Sequence, residues 1–287
     1  MYHFIGAASG WGAQIKACEE GPEKLLNSES LSFYKENKIP LSGHEIIYPS
    51  KMARDYKLSF EENLPIMNQF NKDLAKAAYE TCLRNEIPVV LGGDHAIAMG
   101  TWTGVKKFHK EPFGLVWIDA HMDGHTPETT PSGAWHGMPL AALLGHGLFQ
   151  KPIFDPQHIC LIGTRSYEEG EAKLLNKLGV RVFFIEEVRE RGMQVCLEEA
   201  LLIATNHRQQ GLGISIDLDV VDPAEAQAVG SPAPNGLSSL EFLDSLDLIE
   251  DYLPHLTGLE FVEYNPSLDK DLSSYKIVLE GLARLFG

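Results

Sequence analysis

One stretch of the sequence decides the fold: Gly114-Leu115-Val116-Trp117-Ile118-Asp119-Ala120-His121-Met122-Asp123. Its first five residues are a short apolar run, typical of a strand that is buried on both faces of a parallel sheet. Asp119, His121 and Asp123 then follow at alternate positions. Because alternate side chains of an extended strand point to one face, we expect these three groups to converge. Burying them side by side is unfavourable unless a metal ion or a counter-charge compensates, so the stretch predicts a metal site.

Two further apolar runs lead into residues of the same chemical types. Asp217-Leu218-Asp219 follows the run 213–216, and His95 follows Val89-Val90-Leu91 after Gly92-Gly93-Asp94. Taken alone, residues 92–95 could form a turn with a capping aspartate, and residues 217–219 could be a solvated strand end. Together with residues 119–123 they favour a two-metal site with six ligands: His95, Asp119, His121, Asp123, Asp217 and Asp219.

Apolar runs of strand length recur along the chain with helical patterns between them, which predicts an α/β fold. These runs lie at 4–7, 89–91, 114–118, 159–162, 182–185, 213–216 and 259–262. We expect three α/β/α layers around a mostly parallel central sheet, with ligands bound beyond the carboxyl ends of the strands. Since no internal repeat or long linker divides the chain, we predict a single domain over residues 1–287.

Other local patterns predict helices and a loop. Apolar residues at three- and four-residue spacing from Leu64 to Ala78 predict a long amphipathic helix. The capping-box sequence Ser238-Ser239-Leu240-Glu241 predicts a helix that begins there and runs towards Leu253. Residues 124–137 are rich in threonine, proline, serine and glycine. We expect this segment to be a surface loop beside the site.

The composition restricts the partners of the protein. The chain has 287 residues and a formal net charge of −16, from 24 Lys plus Arg and 40 Asp plus Glu. Such a charge repels nucleic acids and anionic membranes and attracts a small cation. The four cysteines form no metal-binding spacing and are expected to be reduced structural thiols. The N-terminus lacks a signal-peptide pattern and no apolar run is long enough to span a membrane, so we predict a cytoplasmic protein.

The residue types also indicate the metal and its chemistry. Four carboxylates and two imidazoles without a thiolate favour a hard ion such as Mn(II), and four carboxylates balance two divalent ions. Two bridged ions can generate a hydroxide nucleophile at neutral pH. At this point hydrolysis of an amidine, guanidine, amide or phosphoester is open, although no basic cluster for phosphate lies near the motifs.

Two more residues follow predicted strands. His136, in the loop after Asp123, could pass a proton to a leaving amine, although alone it is an ordinary loop histidine. Glu263, at the end of the run 259–262, could hold a planar guanidinium by paired hydrogen bonds, although alone it could equally be a helix cap.

Together these motifs resemble the ureohydrolase (arginase and agmatinase) family, binuclear manganese enzymes that release urea from guanidino groups. The motifs around His95, residues 119–123, residues 217–223 and Glu263 occur in the family's order. Glu20-Gly21-Pro22 and Gly230-Ser231-Pro232 also look like family segments, so the resemblance spans nearly the whole chain. It implies the arginase-like fold, two Mn²⁺ per subunit and a trimer or hexamer.

The resemblance implies roles for individual residues. One manganese would be bound by His95, Asp119, Asp123 and Asp217, and the other by Asp119, His121, Asp217 and Asp219, with Asp119 and Asp217 bridging. The catalytic residues would be Asp123, which orients the hydroxide, His136, which shuttles the proton, and Glu263, which orients the guanidinium. The implied substrate contacts are His125, Ser132, Glu168, Ser231 and Glu263.

The loop sequence around residues 126–139 is more similar to arginases than to agmatinases, which favours hydrolysis of L-arginine to L-ornithine and urea. Arginases usually carry asparagines at the positions of His125 and Ala134, to bind the substrate α-carboxylate, and an aspartate at the position of Glu168. Alternatives are therefore a relative that acts on agmatine, a guanidino acid or a formimino compound. A non-catalytic metal-binding relative would be expected to have lost a ligand, and none of the six positions is lost.

Overall fold

The computed structural model describes residues 1–14, 17–50 and 59–287. Within these ranges eight strands form one sheet in the order β2-β1-β3-β8-β7-β4-β5-β6, and all neighbouring pairs are parallel. The strands are β1 Tyr2–Ala7, β2 Leu41–Ile47, β3 Ile87–Gly92, β4 Phe113–Ile118, β5 Ile159–Thr164, β6 Arg181–Phe184, β7 Gly211–Asp217 and β8 Leu256–Val262. The prediction of an α/β fold with a mostly parallel sheet is confirmed.

Helices cover both faces of this sheet. They are α1 Gly21–Leu25, α2 Ser28–Glu36, α3 Phe60–Leu83, α4 Ala98–Phe108, α5 Pro139–Leu143, α6 Glu169–Leu178, α7 Ile185–Arg191, α8 Met193–Ala204, α9 Ser239–Leu246 and α10 Ser273–Phe286. None of the described helices is long and apolar enough to cross a membrane.

Successive strand residues point to opposite faces, so one strand supplies two separate cores. In β4, Val116 and Ile118 pack with residues of α1, α2 and α7 to α10, whereas Leu115 and Trp117 pack with residues of α3 to α6. Because both faces of the strands are buried, the runs read as continuously apolar. This arrangement gives the three predicted layers.

Topology brings the carboxyl ends of four strands together at the centre of the sheet. β3, β8, β7 and β4 are consecutive neighbours, although β3 and β8 are far apart in sequence. All four strands run in the same direction, so their carboxyl ends lie at one edge. His95, residues 119–123, residues 217–219 and Glu263 lie at or just beyond the carboxyl ends of these four strands.

The structure differs from the predicted elements at four places. The sequence analysis missed β2, an edge strand whose residues are mostly half-exposed or exposed. The predicted strand 182–185 ends at Phe184, and Ile185 begins α7. The helix from Ser239 ends at Leu246 and continues as a 3₁₀ segment, Asp247–His255.

The fourth difference concerns residues 119–123, which are not part of an extended strand. β4 ends at Ile118, and Asp123 has a left-handed backbone with φ 48°. The three side chains therefore converge through a turning loop, and the predicted strand alternation was the wrong reason for their convergence.

Gly93 allows the ends of β1 and β3 to approach closely. Its N–H donates to Ala7 O, and a Cβ at this position would collide with the carbonyl oxygen of Ser9. We expect Gly93→Ala to lower the free energy of unfolding by about 3 kcal/mol, because backbone must move to admit the methyl group. Urea denaturation would measure this loss. Gly281→Ala is the matched control, because the three atoms nearest to its Cβ would all belong to side chains, with Leu246 Cδ1 the nearest at 3.3 Å. An equal loss in both variants would contradict the prediction.

Candidate metal centre

The first cluster of the site gathers around the ring of His95. Its Nδ1 lies 3.1 Å from one carboxylate oxygen each of Asp119, Asp123 and Asp217. One ring nitrogen carries at most one proton and cannot donate to three carboxylates at once. Four buried ligand atoms that converge in this way fit the donor set of a cation. His95 itself stands in a 3₁₀ turn that Asp94 caps at the N–H of Ala96, so the turn with a capping aspartate that the sequence allowed is present.

The second cluster contains His121. Its Nδ1 lies 2.8 Å from Asp219 Oδ2 and 3.6 Å from Asp119 Oδ1. Asp119 therefore presents Oδ2 to the first cluster and Oδ1 to the second. The two groups, His95 with Asp119 and Asp217, and His121 with Asp119 and Asp219, each have the spacing of a metal site. Such joined clusters suggest a binuclear centre.

The electrostatics of the centre also favour bound cations. Burial, together with Asp219 and Asp119, raises the pKa of Asp217 well above its usual value. Burial and Asp119 raise the pKa of Asp123 to about 6. Carboxylates this close must bind protons or cations to relieve their repulsion. The residues present thus fit a pair of divalent ions.

Four residues that hold the side chains of the first cluster in place, directly or through a neighbour, were missed by the sequence analysis. Trp117 Nε1 donates to Asp119 Oδ2 at 2.8 Å, and its ring stacks on that of His95. On the far side, His95 Nε2 lies 2.8 Å from Ser215 Oγ, which donates to the buried Glu260. Such contacts fix the orientation of a metal-binding histidine. The sequence signal that could have identified Ser215 and Glu260 is a polar side chain within an otherwise apolar strand.

Trp102 is the fourth of these residues. Its Nε1 donates to Glu260 Oε1 at 2.8 Å, so this oxygen accepts from both Trp102 and Ser215. Trp102 lies on α4, and nothing in its local sequence indicates a contact with β8. Only the packing of α4 against the sheet brings the two together.

Glu263 and His136 meet at the edge of the centre. Glu263 Oε1 accepts from the backbone N–H of His95 at 2.9 Å and lies 3.1 Å from His136 Nδ1. Its Oε2 is buried and has no hydrogen-bond partner among the described residues. Burial raises the pKa of Glu263, but the hydrogen bond and charge of His136 outweigh burial and leave that pKa below its usual value. An ionised, incompletely paired carboxylate beside the centre suits a cationic ligand.

In the metal-free protein, we expect His136 to stabilise the fold up to alkaline pH. Burial lowers its pKa, but the hydrogen bond and charge of Glu263 prevail and raise it to about 9. The unfolded value is about 6.5, so the stabilisation is complete below that pH and is lost as pH rises through about 9. Denaturation of wild type and His136→Asn at several pH values would measure it. The difference between the two should shrink above about pH 9; a constant difference would contradict the expectation.

A cavity of about 230 Å³ opens above the centre. All the predicted site residues except the deeply buried Asp119 are among its lining residues, which also include Gln14, Ser166 and Glu171. Ser132 and Ser231 lie in its wall, as does His125, whose Nε2 is 2.8 Å from Glu168 Oε2. Ala134 is buried and its N–H donates to Ser132 Oγ. The predicted loop 124–137 thus lies beside the site, with several residues buried.

The fold and the site together define a class: a parallel α/β sheet whose central carboxyl edge carries two joined His/Asp clusters is the architecture of a metal-dependent hydrolase. Comparison with known proteins narrows this class. The model of the Arginase family matches residues 2–283, and the chain belongs to that family.

Individual relatives agree with this membership. The chain is 40% identical over 232 residues to an arginase of Bacillus caldovelox, covering 78% of this chain and 77% of the relative. It is 36% identical to an arginase of Brevibacillus brevis, with 99% of this chain and 96% of the relative covered. The solved structure of arginase from Bacillus caldovelox superposes with a TM-score of 0.89 at 32% identity, over 100% of this chain and 98% of that one.

Proposed function

We propose that this protein is a manganese-dependent hydrolase that cleaves a guanidino C–N bond and releases urea, with L-arginine as the first candidate substrate. The observation that carries the proposal is the pair of clusters joined by Asp119, next to a buried carboxylate, Glu263, with a free oxygen. The arginase relatives support the substrate class.

The proposed ligands fall into two sets that share two aspartates. His95, Asp119, Asp123 and Asp217 would bind one ion. Asp119, His121, Asp217 and Asp219 would bind the other. The contacts of Asp119 with both histidines support its bridging role. Asp217 contacts His95 through Oδ2, and its bond to the second ion is what the family resemblance implies. Two divalent ions would supply Lewis-acid activation of water and substrate.

The side chains around the centre account for orientation and proton transfer. Glu263 would accept a hydrogen bond from the guanidinium at Oε2, which has no partner among the described residues, and thereby hold the guanidino carbon over the centre. Asp123 would orient the attacking water and take up its proton. His136, already hydrogen-bonded to Glu263, would donate a proton to the nitrogen of the leaving amine. The bond between the guanidino carbon and the nitrogen that carries the alkyl chain breaks, and the products are urea and the amine.

The remaining expectations belong to this proposal. Net charge −16 fits a cationic substrate and no nucleic acid. We also propose that the protein acts in the cytoplasm as a homo-oligomer, a trimer or hexamer by family resemblance, and that residues 1–287 form one catalytic domain.

The experiment for this proposal is a urea assay with Mn(II)-loaded protein on L-arginine, agmatine, 4-guanidinobutanoate and a formimino compound. We expect urea from at least one of the three guanidino compounds. Formamide from the formimino compound alone would move the protein to that branch of the family. No product from any compound, with two ions bound, would refute the proposed activity.

A further inference from the structure

A second cavity, of about 440 Å³, lies between α3, α4 and the segments on either side of α5. It shares none of its described lining residues with the cavity above the metal centre. Its size is within the range of cavities that bind small organic molecules. Lys72, Lys76 and Lys107 lie around it, so we call it the lysine pocket.

The floor of the lysine pocket is apolar. Met99 and Trp135 line it, and both are buried, with 3% and 6% of their surface exposed. Leu64, Leu148 and Phe149 line it as well and are only partly buried against the same apolar cluster. These side chains leave apolar surface in contact with water. A ligand with an apolar body would remove that surface from water, which favours binding.

The walls of the lysine pocket are faces of two closely packed helices. On α3 the lining residues recur at three- and four-residue spacing from Leu64 to Lys76, and on α4 they recur from Met99 to Lys107. The backbones of the two helices approach closely, because a Cβ at Gly104 would collide with the carbonyl oxygen of Ala75. Such packing restricts the movement of one helix against the other, so the pocket is preformed.

The rim of the lysine pocket carries only positive charge. None of the described lining residues is Asp or Glu, although the chain has 40 acidic and 24 basic residues. Lys72 and Lys76 lie four residues apart on α3, a spacing at which like charges repel. Lys76 pairs with the exposed Glu80 at 3.8 Å, and Lys107 lies over the ring of Tyr79. Lys72 has no ion pair among the described residues. An anion bound at the rim would offset the repulsion between these charges.

We propose that the lysine pocket binds a small organic anion in which one carboxylate is attached to an apolar body. The apolar body would lie against Met99 and Trp135, and the carboxylate would accept hydrogen bonds from the ammonium groups at the rim. This inference goes beyond the proposed function. Its test involves neither the metal centre nor urea release, so the two can fail separately.

The experiment is a calorimetric titration of the intact protein with 4-phenylbutanoate, 4-phenylbutan-1-ol and 4-phenylbutan-1-amine, which differ only in the end group. We expect one molecule of the carboxylate to bind per chain, at least about tenfold more tightly than the amine, with the alcohol in between. The lysines at the rim attract the carboxylate and repel the amine, whereas the apolar floor contributes equally to all three.

Variants of the pocket locate the binding. Lys72→Gln combined with Lys107→Gln removes two exposed charges, and we expect the affinity for the carboxylate to fall about tenfold while that for the alcohol stays the same. Ala75→Phe places a large side chain in the lining and should weaken the binding of both compounds by about tenfold or more. The control is Lys276→Gln, on the exposed surface of α10, which should change neither affinity.

Several results would overturn the inference. Equal affinity for the carboxylate and the amine, or undiminished carboxylate binding in the double lysine variant, would show that the rim does not select an anion. Carboxylate binding that survives Ala75→Phe would place the ligand elsewhere. The absence of saturable binding at about 10 mM carboxylate would refute the site. A lower oligomeric mass of Ala75→Phe in light scattering would instead assign the pocket to an interface between copies of the chain.

Discussion

We expect Asp119→Asn to abolish nearly all urea release and to lower the number of bound metal ions. Asp119 is fully buried and is the residue that contacts both histidines, His95 through Oδ2 and His121 through Oδ1. An amide cannot supply two anionic oxygens to two cations. Because Lewis-acid stabilisation is worth several kcal/mol, kcat should fall by about 10³-fold or more.

The number of bound metal ions after dialysis would be measured by inductively coupled plasma mass spectrometry alongside the activity assay. The matched control is Asp251→Asn, an aspartate on the exposed surface, which should retain two ions and full activity. Two tightly bound ions in Asp119→Asn would refute its bridging role. Circular dichroism of the variant would establish that the loss is local and that the sheet is intact.

The second large effect is expected for Glu263→Gln. The isosteric amide keeps one oxygen for the N–H of His95 and removes the charge that faces the guanidinium. Since hydrogen bonds to charged groups are worth up to about 3 kcal/mol, we expect kcat/KM to fall by about 10²-fold, with two ions still bound.

The separate effects of Glu263→Gln on kcat and on KM would show how Glu263 acts. If it orients the guanidinium for attack, kcat should fall together with kcat/KM. Loss of bound metal from Glu263→Gln would instead indicate that Glu263 is needed for metal binding. Unchanged kinetics with every guanidino compound would contradict its proposed role.

The sequence predicted the central sheet because each site motif is local. A buried parallel strand reads as a continuous apolar run, and the ionisable residues stand directly behind it, as in Ile118-Asp119 and Ile216-Asp217. Because the strands are parallel, their carboxyl ends, and with them these residues, lie at one edge of the sheet. The edge strand β2 was missed for the opposite reason: it is half exposed and carries Ser42, His44 and Glu45 within its apolar residues.

The contacts between distant segments could not be predicted from local patterns. His136 and Glu263 are 127 residues apart in sequence, and their 3.1 Å contact exists because the sheet order β8-β7-β4 places the segments that follow β8 and β4 at one edge. The same holds for Ser215 and Glu260, which pair across β7 and β8.

The backbone conformation of Asp123 and Glu263 could not be predicted from local sequence patterns either. Asp123 and Glu263 both have positive φ, 48° and 66°, which costs a residue with a Cβ about 1 kcal/mol or more. A pattern of alternating residues cannot show such a backbone conformation, because it assumes a regular strand. The sequence analysis named residues that the structure brings together, but it gave the wrong local geometry for residues 119–123.

A titration of metal-free protein with Mn(II), in which urea release from a guanidino substrate is recorded at each addition, would show whether two ions form the active centre. Two joined clusters predict that activity rises until two ions are bound per chain and then stays constant. Full activity with one bound ion would contradict a binuclear active centre. No urea with two ions bound would contradict the proposed activity.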